Sequence, residues 1–395
     1  MRKSTPLQVV VLTTDNRDHW RKYHLPEPIF GPAIAALFEG FADFPNEVNV
    51  HVLSATQKPL PSPVRLAPNI TYHSLLVPKF GWLRTGYQGC IRAVRARVRE
   101  LKPDLVHGEG TERDCALEAV CSGRPSVLTL HGNMRAVARV LRAKPFSYHW
   151  IHSFLESWAL RRADRVFCNS SYTENWVRPL NQNVVRMLNP VRASFYHSPA
   201  VPSARSFAGT HFLMVGLICA YKQPLEVLRA LRSWRQRTGA CFHCLWVGAV
   251  SGERDYIRAF LAELEAARQE GWADHRTEMP AQELCQAMDT RDVLIHIPRE
   301  EAFGLVVAEA MLRGMTVVAG RTGGIVDFED IYPAIRMVNP GAPEEWIAIW
   351  SQLADRPPVR VGREKWDGMR FHPREIAQRH LLAYDSMMDH AAAFR

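Results

Sequence analysis

Pro298-Arg-Glu-Glu-Ala-Phe-Gly-Leu-Val-Val-Ala-Glu-Ala-Met-Leu-Arg-Gly-Met-Thr-Val-Val-Ala-Gly320 follows an apolar run, Val293–Ile297. Together they read as strand, loop, helix, turn and strand. Phe303-Gly304 closes the loop, so the helix is predicted over Gly304–Arg313. A helix that begins where a parallel strand has ended turns its free N–H groups and positive dipole end toward the carboxyl edge of the sheet. That arrangement suits a diphosphate. Glu301 and Glu309 are eight residues apart, about 2.2 helical turns, which would turn both carboxylates toward one crevice. One suits a sugar hydroxyl and the other a ribose. The plainer alternative is a surface acid followed by an acid that favours the helix dipole.

The same rhythm extends outward. Gln8–Leu12, Val48–Leu53, Leu105–His107, Ser126–Leu130, Val166–Cys168 and Val184–Leu188 read as strands, with helical patterns at Gly31–Phe41, Gln88–Leu101 and Ser147–Arg162. It restarts after residue 205. Strands are predicted at Phe212–Val215, Cys244–Val247, Val293–Ile297 and Thr316–Ala319, and helices at Leu225–Thr238, Asp255–Gln269 and Ala281–Met288. Alternation of this kind predicts parallel sheets covered by helices, here in two α/β domains. The linker is placed in the Pro-, Ser- and Ala-rich stretch Asn189–Gly209. The expected division is 1–200, 201–370, and a terminal helix from 371 to 395.

The chain has 395 residues, 47% hydrophobic and 23% charged, which excludes wholesale disorder, collagen and coiled coil. No apolar run approaches the length of a membrane span. Leu7–Leu12 is short and leads into Thr13, Thr14 and Asp15 with no small-residue cleavage site, so it reads as a buried strand rather than a signal peptide. Eight scattered cysteines do not form a disulfide framework, and the expected compartment is a reducing cytosol. Cys241 and Cys244 have CxxC spacing but no second pair, and read as structural. Net charge is +9, made up of +11 over residues 1–200 and −2 over the rest. Within Ile91–Leu101, Arg92, Arg95 and Arg99 share one helical face. That face reads as plain solvated surface, or as a patch for anionic lipid or a phosphate-bearing acceptor. No nucleic-acid-binding signature is present.

The segment with Glu301, Phe303-Gly304, Glu309 and Ala310-Met311 resembles the donor-binding signature of the family-four retaining glycosyltransferases, also called glycosyl transferases group 1. Gly323-Gly324-Ile325 is similar to that family's next glycine loop, and Phe212-Leu-Met-Val-Gly216 to the strand that opens its donor domain. Thr129-Leu-His131 resembles its Thr-x-His motif. The resemblance implies a GT-B fold, with two doubly wound Rossmann-like domains facing a cleft. It implies an N-terminal acceptor domain and a C-terminal domain for a nucleoside-diphosphate sugar, linked to UDP or GDP. It further implies metal-independent transfer to a hydroxyl with retention of configuration, without a cofactor, in polysaccharide or glycolipid synthesis. The terminal helix would cross back to the first domain.

Carried over position by position, the resemblance assigns Glu301, His131 and Lys222 to the reaction. It assigns Gly216, Phe303, Gly304, Leu305 and Glu309 to the donor. Two departures stand out. Leu217 occupies the position of a usual arginine, for which Arg299 or Arg321 are the candidate replacements, and Gln223 occupies that of a usual glycine. The first departure keeps a degenerate nucleotide-sugar-binding protein open, beside another GT-B enzyme such as an epimerase or phosphorylase. Ser170 is expected to cap a helix, and the turn Asn189-Pro190 to be structural. The loop from Thr14 to Gly31 is long, aromatic and charged. Arg17, Gly31 and Glu109 are the expected acceptor contacts. The expected partners are thus the donor and a hydroxyl acceptor, with a lipid-linked acceptor and a peripheral contact at the inner face of a membrane as candidates; nucleic acid is not among them.

Overall fold

The computed structural model describes residues 5–197, 209–356 and 358–393. They fall into two compact units, one formed by Met1–Arg192 with Met369–Arg395 and the other by Ala193–Gly368. The boundary expected at residue 200 lies in 198–208, outside the described residues.

The first unit holds β1 (Leu7–Leu12), β2 (Val48–Thr56), β3 (Val64–Ala67), β4 (Ile70–Leu76), β5 (Leu105–Glu109), β6 (Ser126–Leu130), β7 (Arg165–Cys168) and β8 (Val184–Arg186). Their order is β3-β4-β2-β1-β5-β6-β7-β8. All neighbours are parallel except β3, which runs antiparallel to β4. The central strands are apolar because helices cover both faces. Val10 and Leu12 of β1 join the core on one face, and Val9 and Val11 the core on the other.

The terminal helix, Pro373–Ala393, belongs to this unit and packs on the helix Pro32–Ala42. Ile376, Ala377, Leu381 and Tyr384 share a buried cluster with Val9, Val11, Leu37 and Phe41. Gly40 permits the contact: a Cβ there would stand 2.2 Å from the Pro373 carbonyl oxygen.

The second unit holds β9 (Thr210–Val215), β10 (Phe242–Val247), β11 (Ala273–Arg276), β12 (Val293–His296), β13 (Thr316–Gly320) and β14 (Ile335–Val338). They form one parallel sheet in the order β11-β10-β9-β12-β13-β14. Its core is aromatic. Trp234 stacks on Phe242 at 5.1 Å, with Trp272, Trp346 and Trp350 in the same cluster.

Four strands escape the sequence pattern. β3 and β4 form an edge hairpin in a Pro-rich stretch, while β11 and β14 are four-residue edge strands with charged residues. In each sheet the strand order reverses at one point, between β1 and β5 and between β9 and β12. Ligand crevices in open α/β sheets lie at the carboxyl ends of such strands.

Candidate active site

In the second unit, the chain leaves β9 at Gly216 and pairs Ile218 with Val250. Leu217 between them is 45% exposed. A short turn of helix, Ala220–Lys222, is followed by Gln223 at φ 59°, the left-handed region that a glycine would fill without strain. The Gln223 side chain fixes this backbone. Its Nε2 donates to the carbonyls of Ile297 (2.9 Å) and Pro340 (3.0 Å), and its Oε1 accepts from Arg299 Nε at 2.9 Å. The helix Pro224–Thr238 starts directly after it.

Lys222 Nζ donates to Glu301 Oε2 at 2.6 Å, and His296 Nε2 lies 3.0 Å from the same oxygen. Burial opposes charge on Glu301, but Lys222 and then His296 outweigh it and hold the carboxyl well below its ordinary range. Burial works against the Lys222 ammonium too, and Glu301 more than restores it. Burial lowers the pKa of His296, and Glu301 opposes that shift. His296 ends β12 five residues before Glu301; its place at the carboxyl end of a central strand is the signal that sequence reading passed over.

The Glu301 carbonyl accepts from Gly324 N at 3.0 Å, which joins this loop to the glycine loop. Gly304 has φ 89°, and a Cβ there would meet Ile325 at 3.2 Å. The helix that follows spans Leu305–Leu312. Glu301 therefore lies outside it, and the helical-turn argument for two carboxylates on one face does not apply. Glu309 stands four residues beyond Leu305 and is 4% exposed. Phe303 is buried edge-on against Phe328 at 5.3 Å, so its ring builds the loop. Leu305 is half-buried at the first helical position. Neither candidate for the missing arginine turns to Lys222. Arg299 is held by Gln223 and Glu226, and Arg321 is paired with Glu329 at 2.5 and 2.6 Å.

In the first unit, Glu109 ends β5 and His131 follows β6. His131 Nε2 donates to Glu109 Oε2 at 2.7 Å, and Asn189 also hydrogen-bonds His131. Behind them runs a buried chain of groups. Tyr384 Oη lies 2.6 Å from His107 Nδ1, His107 Nε2 lies 2.7 Å from Thr129 Oγ1, and Thr129 donates to Glu109 Oε1 at 3.4 Å. Burial disfavours the Glu109 charge, but His107 and His131 override it and bring the carboxyl down to about 2. Burial also disfavours the His131 imidazolium, and Glu109 overrides that, raising its pKa.

The two shifts stabilise the fold in different pH ranges. Glu109's contribution is present above 4.5 and is lost as pH falls toward about 2. His131's is present below 6.5 and is lost as pH rises through its raised value. Glu109→Gln should bring the His131 titration, followed by NMR, down to 6.5 or below. An unmoved titration would mean that another group holds the imidazolium.

Of the three expected acceptor contacts, Arg17 needs correction. Arg17 is fully buried, bound to Asp15 through Nε (3.0 Å) and NH2 (2.6 Å) and to the carbonyls of Leu25 and Pro26 through NH1. The Tyr72 hydroxyl donates to the same Asp15 at 2.7 Å. Arg17 thus ties the loop to the sheet and is not presented to an acceptor. Glu109 is 5% exposed and acts on His131. Gly31 has an ordinary φ of −62° and caps the helix Pro32–Ala42. Ser170 caps the helix Ser171–Val177 by accepting from Thr173 N at 3.2 Å. Cys244 is buried and Cys241 exposed.

Residues 34–194 match the model of Glycosyltransferase Family 4, and residues 209–356 that of Glycosyl transferases group 1. The chain belongs to the group 1 glycosyltransferases. The chain of this glycosyltransferase family is 28% identical over 151 residues to D-inositol 3-phosphate glycosyltransferase of Arthrobacter sp. (strain FB24), covering 38% of the chain and 35% of that protein. It is 26% identical over 294 residues to 2-deoxystreptamine N-acetyl-D-glucosaminyltransferase of Streptomyces fradiae, covering 69% and 65%. These matches span from about a third to just under two thirds of the curated relatives' own length.

Among solved structures, sucrose-phosphate synthase from Thermosynechococcus elongatus superposes with a TM-score of 0.65 at 15% identity, over 98% of both chains. Anabaena HepE in complex with UDP and glucose gives 0.63 at 16%, over 98% of this chain and 100% of that one. At such identities the likeness shows the GT-B fold alone.

Proposed function

We propose that the protein transfers a sugar from a nucleoside diphosphate to a hydroxyl acceptor, without a metal and with retention of configuration, in polysaccharide or glycolipid synthesis. One observation carries the reading. At the point where the second sheet reverses its strand order, Lys222 after β9 and His296 at the end of β12 converge on Glu301, in the loop that leads into the helix after Gly304. A cation and free helix amides offset a diphosphate's charge as it departs.

In this reading the anomeric carbon's bond to the diphosphate oxygen breaks, and the acceptor oxygen bonds on the same face. The departing oxygen takes the acceptor's proton. Lys222 and the amides near Leu305 hold the diphosphate, Glu309 binds the ribose, and Glu301 orients a sugar hydroxyl. Gly216 lets the donor approach the end of β9. His131, whose pKa Glu109 raises, is assigned a further sugar hydroxyl. The protein supplies these groups with no cofactor besides the donor. UDP comes first among nucleotides because the Anabaena neighbour holds it.

Exposed Leu217, with Arg299 and Arg321 both engaged elsewhere, favours a second reading, a protein that binds nucleotide sugar but transfers it slowly. Thermal unfolding against UDP, GDP, ADP, dTDP and CMP tests the first reading. A nucleotide at ~100 times its Kd adds ~2.7 kcal/mol, a rise of roughly 3 °C for 395 residues unfolding together. Glu309→Ala should remove most of that rise without lowering the unliganded Tm by a comparable amount. A full shift in the variant would refute the ribose role. No shift with any nucleotide would refute the donor site.

A further inference from the structure

The helix Tyr148–Leu160 presents an unusual outer face. Its inner face is buried through Ser153, Glu156, Ala159 and Leu160. A surface helix ordinarily covers its outer face with charge. Here the outward positions are aromatic. Phe146 just before the helix is 81% exposed, Phe154 57% and Trp158 38%. Phe146 packs on Trp150 at 5.3 Å, and Trp150 on Phe154 at 4.6 Å. Trp150, Phe154 and Trp158 recur every fourth residue, which makes a ladder about 12 Å long.

Cations border the ladder. Residues 134–162 contain six, Arg135, Arg139, Arg142, Lys144, Arg161 and Arg162, against a single acid, Glu156, which is buried. Arg162 lies over the Trp158 ring at 4.1 Å. The border continues onto the helix Gln88–Leu101, whose Arg92, Arg95 and Arg99 form a basic face. Burial raises the Cys121 thiol pKa while the charges of Arg95 and Arg162 both act to lower it, so both helices bring a cation within electrostatic reach of Cys121. Exposed aromatics bordered by cations, with Glu156 the one acid in residues 134–162 and that one buried, match the acyl–headgroup boundary of an anionic bilayer. Among the described residues no helix is long and apolar enough to cross a membrane.

We propose that this aromatic ladder and its cationic border dock the protein on an anionic lipid surface, with the rings in the headgroup region and the cations on lipid phosphates. The inference is independent of the donor reading, because docking needs no nucleotide. The test is co-sedimentation of the full chain with phosphatidylcholine vesicles, with and without phosphatidylglycerol, at low and high salt. Wild type should pellet with the anionic vesicles and be released by salt. Phe146→Ser/Phe154→Ser and Arg142→Glu/Lys144→Glu should each weaken binding by at least about tenfold. All four side chains are exposed, so both variants should keep the wild-type Tm and nucleotide shift. Failure to bind anionic vesicles, or equal binding by wild type and both variants, would overturn the proposal. Self-association abolished by Phe146→Ser/Phe154→Ser, with no vesicle binding, would overturn it in favour of a second copy on this face.

Discussion

Lys222→Ala is expected to lower kcat/KM for sugar transfer by about two to three orders of magnitude, the usual cost of removing one preorganised group that stabilises departing charge. The loss should exceed the average because the neighbouring cation is absent. Leu217 has no charge, and Arg299 and Arg321 are committed to other partners. The variant also changes Glu301. Without the ammonium 2.6 Å away, burial and His296 alone set its ionisation, and the carboxyl rises toward the ordinary range. The pH profile of the residual activity should therefore gain an acidic limb that wild type lacks. Wild-type turnover in Lys222→Ala would show that some other cation holds the phosphates. A large loss of activity together with an unchanged nucleotide shift would assign Lys222 to the reacting charge rather than to ground-state binding.

Arg17→Met should destabilise the protein by about 3–5 kcal/mol, because it leaves the Asp15 carboxylate buried without its cation. Both side chains are fully buried, so solvent does not screen the loss. The effect is measured as a lower urea midpoint, and the carbonyls of Leu25 and Pro26 lose their donor as well. The alternative prediction, from Arg17 as an acceptor contact, is a raised acceptor KM at unchanged stability. The two outcomes separate in one experiment. A midpoint within error of wild type would end the structural account of Arg17.

That residue shows where sequence reasoning stops. The repeating strand–helix pattern made both sheets legible, since buried parallel strands need apolar runs and the covering helices need one apolar face. The Glu301–Met311 segment and Thr129–His131 located both clusters. What the chain cannot display is direction. An arginine in a polar loop reads as surface, yet Arg17 turns inward because Asp15, two residues earlier, and Tyr72, on another strand, close around it. The surroundings of His131 are half legible: Glu109 follows a predicted strand, but nothing in the chain shows that Tyr384 of the terminal helix joins His107, behind that pair, across 277 residues. Gln223 was legible as a departure from glycine. Its remedy, three hydrogen bonds that hold a left-handed backbone, depends on Ile297, Pro340 and Arg299, which only the fold brings near.

The placement of the terminal helix sets an order of assembly during synthesis. Residues 193–368 form one unbroken unit, whereas the first unit needs residues 369–393 to cover Val9, Val11 and Phe41. Those residues leave the ribosome after the whole second unit. The unit that is translated first is thus finished last, and until then it carries an uncovered apolar face with Gly40 at its centre. Transiently exposed apolar surface of this kind is where folding intermediates aggregate. A chain cut after Gly368 would keep every element of the second unit and leave the first without its closing helix.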